Sequence, residues 1–161
     1  MKKHFVFAAV ALGIAAGPVL AHAQLIEKTA LTLDGAKKIA AVAEAKAKAE
    51  HARVVIVVVD EGGSLLLLQR LDDTQVASVN VGIDKARTAA VYRRPSKVFE
   101  DQVKHGRVSA LALHGAVALQ GGVPIIVDGK VIGAIGVSGE TPSQDEDIAI
   151  AGAAVAASFT K

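Results

Sequence analysis

The stretch SVNVGIDKARTAAVYRRP, residues 78–95, carries more polar and charged groups than a buried helix needs. Its apolar residues recur at helical spacing, and two polar rows flank them: Asn80, Asp84 and Arg87 in one, Lys85, Thr88 and Tyr92 in the other. One interpretation is a solvated helix face, held by a contact from Asp84 to Arg87 or Thr88. The other is an anion clamp, in which Lys85 and Arg87 donate to carboxylates or propionates and Asp84 orients them. The sequence leaves both interpretations open.

The histidines are the other candidates for chemistry. Beyond the first 23 residues the chain has His51, His105 and His114, and no HxH or HExxH spacing relates them, so a zinc site is not expected. His105 and His114 fall in a glycine-rich segment, and functional residues concentrate in such loops. Either imidazole could supply one axial bond to a haem iron, and Tyr92 is a third candidate.

Nucleophilic catalysis and nucleotide binding find no support. The chain has no cysteine, no G-x-S-x-G motif and no evident Ser/His/Asp set, so no catalytic residues are predicted. Gly133, Gly136 and Gly139 punctuate an apolar run, which indicates either a closely packed helix or a ligand near the backbone. The loop after them lacks the lysine of a phosphate-binding loop. The acids at 145–147 fit the first turn of a helix, where negative charge is favourable.

The first 23 residues have the form of a secretory signal peptide. Lys2 and Lys3 precede an apolar run from Phe5 to Leu20, and Ala21-His22-Ala23 follows as a cleavage pattern. The run is shorter than the roughly 20 apolar residues of a transmembrane helix, so no stable membrane anchor is expected. The mature chain is expected to begin near Gln24, to reside in the periplasm or outside the cell, and to form a single domain over residues 24–161.

Charge bears on the kind of partner, and cysteine content bears on what stabilises the fold. Lys2 and Lys3 are two of the 18 basic residues, so 16 remain beside 16 acidic residues in the mature chain. Because a near-neutral chain has no basic surplus to neutralise phosphates, nucleic acid is not expected as a partner. An exported chain without cysteine has no disulfides, and a hydrophobic core must hold it together.

The rest of the chain predicts the elements that must position these residues. Residues 32–51 favour a surface helix with an alanine-rich buried stripe, capped by Thr32 or Asp34. Residues 53–71 favour a β-hairpin. Its first strand is a continuous β-branched run, which is typical of a central strand. The polar helix follows at 74–92.

Beyond Pro95 the pattern predicts a short helix from Ser96 to Lys104. The segment 107–122 is weakly apolar and rich in glycine, and a short strand is predicted near 115–119. Asp128-Gly129 between two apolar runs predicts a type I′ hairpin.

The last helix is predicted to start with a capping box, Ser143 to Glu146. Its predicted buried residues are Ile148, Ala151, Val155 and Phe159. Two hairpins separated by helices predict an α+β fold, with an antiparallel sheet of four or five strands flanked by helices.

Three stretches together resemble the GlcG/HbpS family: VVIVVVDEGGSLLLLQRLD at 54–72, VGIDKARTAAVYRRPS at 81–96, and GGVPIIVDGKVIGAIGVSGETPSQDEDIA at 121–149. The resemblance covers about residues 29–157. It implies a profilin-like sandwich with a five-stranded antiparallel sheet, and assembly into homo-oligomers. It also implies haem binding or haem degradation, in exported proteins and in domains beside PduO-type adenosyltransferases.

The leading interpretation is therefore an exported, oligomeric haem (tetrapyrrole)-binding protein, with haem degradation or haem sensing as an extension of that role. The candidate ligand-binding residues are Asp84, Lys85, Arg87 and Thr88, and the candidate axial ligands are His114 and His105. Two alternatives stay open. One is a module that binds a small organic acid through Lys85 and Arg87, and the other is a structural role in which the polar helix forms an oligomer interface.

Overall fold

The structure is a computed structural model that describes residues 24–160. The predicted signal peptide, residues 1–23, lies outside the described residues. In chain order the elements are α1 (Leu33–Ala49), β1 (Val55–Asp60), β2 (Leu65–Arg70), α2 (Ser78–Val91), α3 (Lys97–Lys104), β3 (Gly122–Val127), β4 (Lys130–Ser138) and α4 (Pro142–Ala153). Two 3-10 turns, Val108–Ala112 and Ala154–Ser158, lie between α3 and β3 and after α4.

The four strands form one antiparallel sheet in the order β2-β1-β4-β3. The predicted α+β class is confirmed. β1 lies between β2 and β4, as its β-branched run predicts, and its residues Val55 to Val59 are fully buried. Asp128 and Gly129 join β3 to β4 with φ angles of 50° and 72°, and two positive φ angles are the mark of the predicted type I′ turn.

Helices cover both faces of the sheet. On one face, α1 and α4 bury an apolar cluster with Ile39 and Ile148 at its centre, and Thr32 caps α1 by accepting a hydrogen bond from the Gly35 N–H at 3.1 Å. On the other face, the alanines of α2 pack on the β1 valines that point to that side, Val55, Val57 and Val59. A Cβ added to Gly136 would lie 2.2 Å from the Gly82 carbonyl oxygen, so this glycine of β4 is required by the close approach of α2.

Several local predictions are wrong. Residues 115–119 form no strand, so the sheet has four strands among residues 24–160 and not the fifth that the resemblance implied. Helix α2 begins at Ser78, after a turn at 72–77, and not at 74.

The start and the buried face of α4 also differ from the prediction. Its N-cap is Thr141, whose hydroxyl accepts from the Gln144 N–H at 3.4 Å, and Pro142 occupies the first helical position, which suits its fixed φ. Ile148 is buried as predicted. Helix α4 ends at Ala153, so Val155 and Phe159 follow it in the 3-10 turn and beyond, where both are only partly buried.

Among residues 24–160, no helix is long and apolar enough to cross a bilayer.

Candidate functional site

The D-K-A-R-T run of α2 is divided between the interior and the surface. Lys85 and Thr88 are buried, at 4% and 0% exposure, whereas the side chains of Asp84 and Arg87 are each 48% exposed. Successive residues of a helix are about 100° apart around its axis, so Lys85 and Arg87 leave α2 in different directions. The structure does not bring these two cations together as one clamp, and direct ligand binding by the four residues stays a prediction.

Lys85 forms a buried ion pair with Asp145. Its Nζ donates to Oδ2 of Asp145 at 2.8 Å and to the carbonyl oxygen of Val137 at 3.0 Å. The other carboxylate oxygen accepts from the Glu140 N–H at 3.0 Å. Burial raises the pKa of Asp145, although Lys85 and the N–H groups of Glu140 and Gly139 act in the opposite direction. The pair therefore joins α2 to the end of β4 and to the first turns of α4.

The exposed half of the motif makes weaker contacts. Nη1 of Arg87 lies 3.7 Å from Oδ1 of Asp84, and Nε of Arg87 donates to the Gly63 carbonyl oxygen at 3.4 Å. The Thr88 hydroxyl donates to the Asp84 carbonyl oxygen at 2.7 Å. The Asp84–Arg87 contact fits the interpretation of a solvated helix face, whereas Thr88 is buried and its bond to Asp84 is made with the backbone alone. Asp84 and Arg87 keep exposed polar atoms that a ligand could reach.

The segment 114–121, here called the anchored loop, has no regular secondary structure. Side chains of the helices and their caps hold it, together with the first residue of β3. Thr88 supplies one anchor, because its hydroxyl oxygen also accepts from the Val117 N–H at 2.9 Å. Two further side chains donate to loop carbonyl oxygens: Tyr92 Oη to that of His114 at 2.7 Å, and Ser96 Oγ to that of Leu119 at 2.5 Å. Two side chains accept from backbone N–H groups: Glu100 Oε2 from Gln120 at 2.6 Å, and Ser96 Oγ from Gly122 at 2.8 Å.

The C-terminal end of the anchored loop covers the buried ion pair. Gly121 has φ +120°, and a Cβ at this position would lie 2.9 Å from Nζ of Lys85 and 2.8 Å from the Val137 carbonyl oxygen. The Gln120 side chain reaches α4, donating to Oε2 of Glu146 at 2.6 Å. The ion pair and the anchored loop therefore form one connected unit.

Both candidate axial histidines lie on the surface, His105 at the end of α3 and His114 at the start of the anchored loop. His105 is the exposed C-cap of α3, and its Nδ1 lies 2.6 Å from the Asp101 carbonyl oxygen. His114 is exposed, and its backbone carbonyl is the group that Tyr92 holds. Among residues 24–160, no three His, Cys, Asp or Glu side chains converge as a metal site.

The surface between the two histidines combines apolar and basic groups. Val108 and Leu111 are 66% and 63% exposed. Residues 104–119 carry Lys104, Arg107 and both histidines, and no acidic residue. Here this segment is called the basic apolar surface. Sequence reasoning singled out its histidines but not its exposed apolar residues, since exposure cannot be read from an irregular segment.

Two pockets lie elsewhere. One, of about 390 Å³, is formed by the start of α1, the β3–β4 hairpin and the chain near Phe159. The other, of about 480 Å³, lies between the end of α1 and the end of β2 and includes His51 and Arg70. Neither of the two is lined by a predicted site residue.

Comparison with known proteins identifies the family by sequence. The model of the haem degrading HbpS-like proteins matches residues 31–154. GlcG of Escherichia coli K12 is 42% identical over 111 residues, which are 69% of this chain and 83% of GlcG. An uncharacterized 15.0 kDa protein from the dhaT-dhaS intergenic region of Citrobacter freundii is 42% identical over 127 residues, 74% of this chain and 87% of that protein.

Solved structures agree with the sequence relatives. Klebsiella pneumoniae ORFY has a TM-score of 0.80 at 30% identity, covering 86% of this chain and 99% of its own. A double mutant of Streptomyces reticuli HbpS has a TM-score of 0.76 at 33% identity, with 88% and 97% covered. PduOC in complex with haem has a TM-score of 0.71 at 27% identity, with 78% and 94% covered. The family predicted from the three sequence stretches is confirmed, and the chain belongs to the HbpS-like family.

Proposed function

We propose that the protein is an exported haem-binding protein. The observation that carries the proposal is its similarity, over 78% of the chain, to PduOC solved as a haem complex, within a family of haem degrading proteins. Haem supplies an iron that takes axial ligands, an apolar ring and two propionates. A haem site in this chain therefore needs an imidazole, exposed apolar side chains and nearby cations.

The basic apolar surface, residues 104–119, meets these needs best. Its two imidazoles are exposed, and Val108 and Leu111 offer apolar contact beside them. Arg107 donates only to the neutral Gln102, so its charge suits a propionate, whereas Nζ of Lys104 is already paired with Oε1 of Glu100 at 2.5 Å. We assign His105 and His114 as the candidate axial ligands of this site.

The α2 motif takes part in two different ways. Arg87 is half exposed and has only long contacts, of 3.4 Å to the Gly63 carbonyl oxygen and 3.7 Å to Asp84, so its guanidinium has donors left for a carboxylate or propionate. Lys85 and Thr88 already use their polar atoms inside the protein. Their proposed role is to position the anchored loop beneath the haem site.

Export and assembly belong to the same proposal. Export rests on the signal-peptide pattern of residues 1–23. Assembly into a homo-oligomer is supported by the exposed Val42 of α1 and Ile150 of α4, 41% and 50% exposed, on the alanine-rich helices that cover one face of the sheet. Light scattering of the purified protein measures the assembly, and a monomer at every concentration would contradict it.

A haemin titration of residues 24–161, followed by the Soret absorbance, tests the proposed function. Free haemin and an unrelated protein of similar size serve as controls. The expected result is a sharp Soret band that saturates at a defined ratio of haemin to protein. A featureless response that never saturates would contradict haem binding.

A further inference from the structure

Residues 107–114, here called the flap, lie between two glycines in the left-handed region of backbone space. Gly106 has φ +89° and Gly115 has φ +67°. A Cβ at either position would meet nothing within 4 Å, so packing does not require a glycine at either end. The positive φ does favour glycine, which adopts it without steric cost. Each end of the flap is thus joined to the protein by a conformationally permissive residue.

The flap itself has few attachments. Its 3-10 turn, Val108–Ala112, has only local backbone bonds, and Ala110 is its buried residue. One side-chain bond holds each end: Arg107 donates to Oε1 of Gln102 at 2.9 Å, and Tyr92 donates to the His114 carbonyl at 2.7 Å. Because 3-10 turns have poorer hydrogen-bond geometry than α-helices, this segment can move at lower cost than the helices beside it.

We propose that the flap is a movable strap that lays Val108 and Leu111 against one face of the porphyrin. The proposal rests on the proposed function and adds the contact residues and the hinges. Val108 and Leu111 lie on the same turn, three residues apart, and both are more than 60% exposed. The flap itself contains Arg107 and His114 and no acid, which complements an apolar ring bearing two propionates. The nearest preceding acids lie on α3, where Glu100 is paired with Lys104.

Hydrogen exchange and a paired substitution test the strap. Haemin at saturation should slow amide exchange in residues 107–114. Val108→Ser combined with Leu111→Ser should raise the haemin Kd about tenfold, since the ring loses two apolar contacts. The matched control is Val76→Ser with Leu65→Ser, because these side chains are 74% and 52% exposed and lie outside the flap. The control pair should leave the Kd within about twofold.

The other outcomes separate the two proposals. Saturable haemin binding with unchanged flap exchange and an unchanged Kd in the flap variant would overturn the strap and leave haem binding intact. The strap would also be overturned if, without haemin, protection of the flap amides from exchange increased with protein concentration. The flap would then contact a second copy of the chain. If no saturable Soret band forms at all, the proposed haem binding is contradicted, and the proposed strap with it.

Discussion

Two segments meet at the C-terminal half of α2, and they are held by different means. In the unit of Lys85, Asp145 and residues 120–122, the ion pair is buried, and Nζ of Lys85 and both carboxylate oxygens of Asp145 have partners inside the protein. The flap is exposed, with one side-chain bond at each end and a glycine beyond each. Low-stability segments are the ones that move on ligand binding, while buried networks fix position. Of the charged residues in the α2 motif, Lys85 therefore fixes the position of neighbouring elements, and the less charged flap is the segment that we propose to contact the ligand.

Breaking the buried ion pair should have the largest effect. Lys85→Met leaves Asp145 buried without its cation, and the expected loss is about 3–5 kcal/mol of unfolding free energy. Urea denaturation measures it. Lys48→Met is the control, because the Lys48–Glu44 pair at 2.6 Å lies on the surface, and its loss should cost at most about 1 kcal/mol. Equal losses in the two variants would show that the buried pair has no special role.

Two glycines of the same region should differ in their tolerance of alanine. Gly121 has φ +120°, and Gly121→Ala would place a Cβ 2.8 Å from the Val137 carbonyl oxygen. Backbone strain and overpacking together should lower the free energy of unfolding by about 3 kcal/mol. Gly115→Ala should lower the free energy of unfolding by only about 1–2 kcal/mol, the cost of a positive φ, because the added Cβ would lie in open space. Thermal unfolding of the two variants measures the difference. If Gly115→Ala is the more damaging, the flap is packed more tightly than its contacts indicate.

The Thr88 hydroxyl should matter for the anchored loop more than for the helix. Thr88→Val leaves the Val117 N–H without its acceptor, at an expected cost of about 1–3 kcal/mol. Thr88→Ser keeps the hydroxyl and should restore protection of the Val117 amide in hydrogen exchange. An amide equally protected in the valine variant would contradict the anchoring role.

The smallest predicted effect depends on pH and concerns Glu100. Burial pushes its pKa up, but the hydrogen bonds from Lys104 and the Gln120 N–H outweigh burial, so the pKa of Glu100 lies below its ordinary value. A lowered folded pKa means that the stabilising effect is present above the unfolded pKa of about 4.3 and is lost as the pH falls through the folded pKa. The difference in stability between the wild type and Glu100→Gln should therefore shrink between about pH 6 and pH 3. A constant difference across this range would exclude Glu100 as a titrating anchor.

The parts of the fold that could be predicted are those encoded locally. A few neighbouring residues are enough to predict three of these parts: the helix α1 from its alanine stripe, the strand β1 from its β-branched run, and the turn at Asp128-Gly129. The Lys85–Asp145 pair could not be predicted, because its members are 60 residues apart and the acids at 145–147 already had a local explanation in the helix dipole. The strand predicted at 115–119 rests on a weakly apolar pattern and is wrong. The backbone groups of Val117 and Leu119 bond to the side chains of Thr88 and Ser96, and the sequence does not show such distant contacts.

The most direct test of the account is a haemin titration of three proteins: the wild type, His105→Ala with His114→Ala, and His51→Ala. His51 is exposed but lies at the end of α1, outside the basic apolar surface, and so serves as the matched histidine control. The account predicts a saturable Soret band in the wild type and in His51→Ala, and a shifted band with weaker binding in the double variant. An unchanged spectrum and affinity in the double variant would contradict haem ligation at the surface between α3 and the anchored loop.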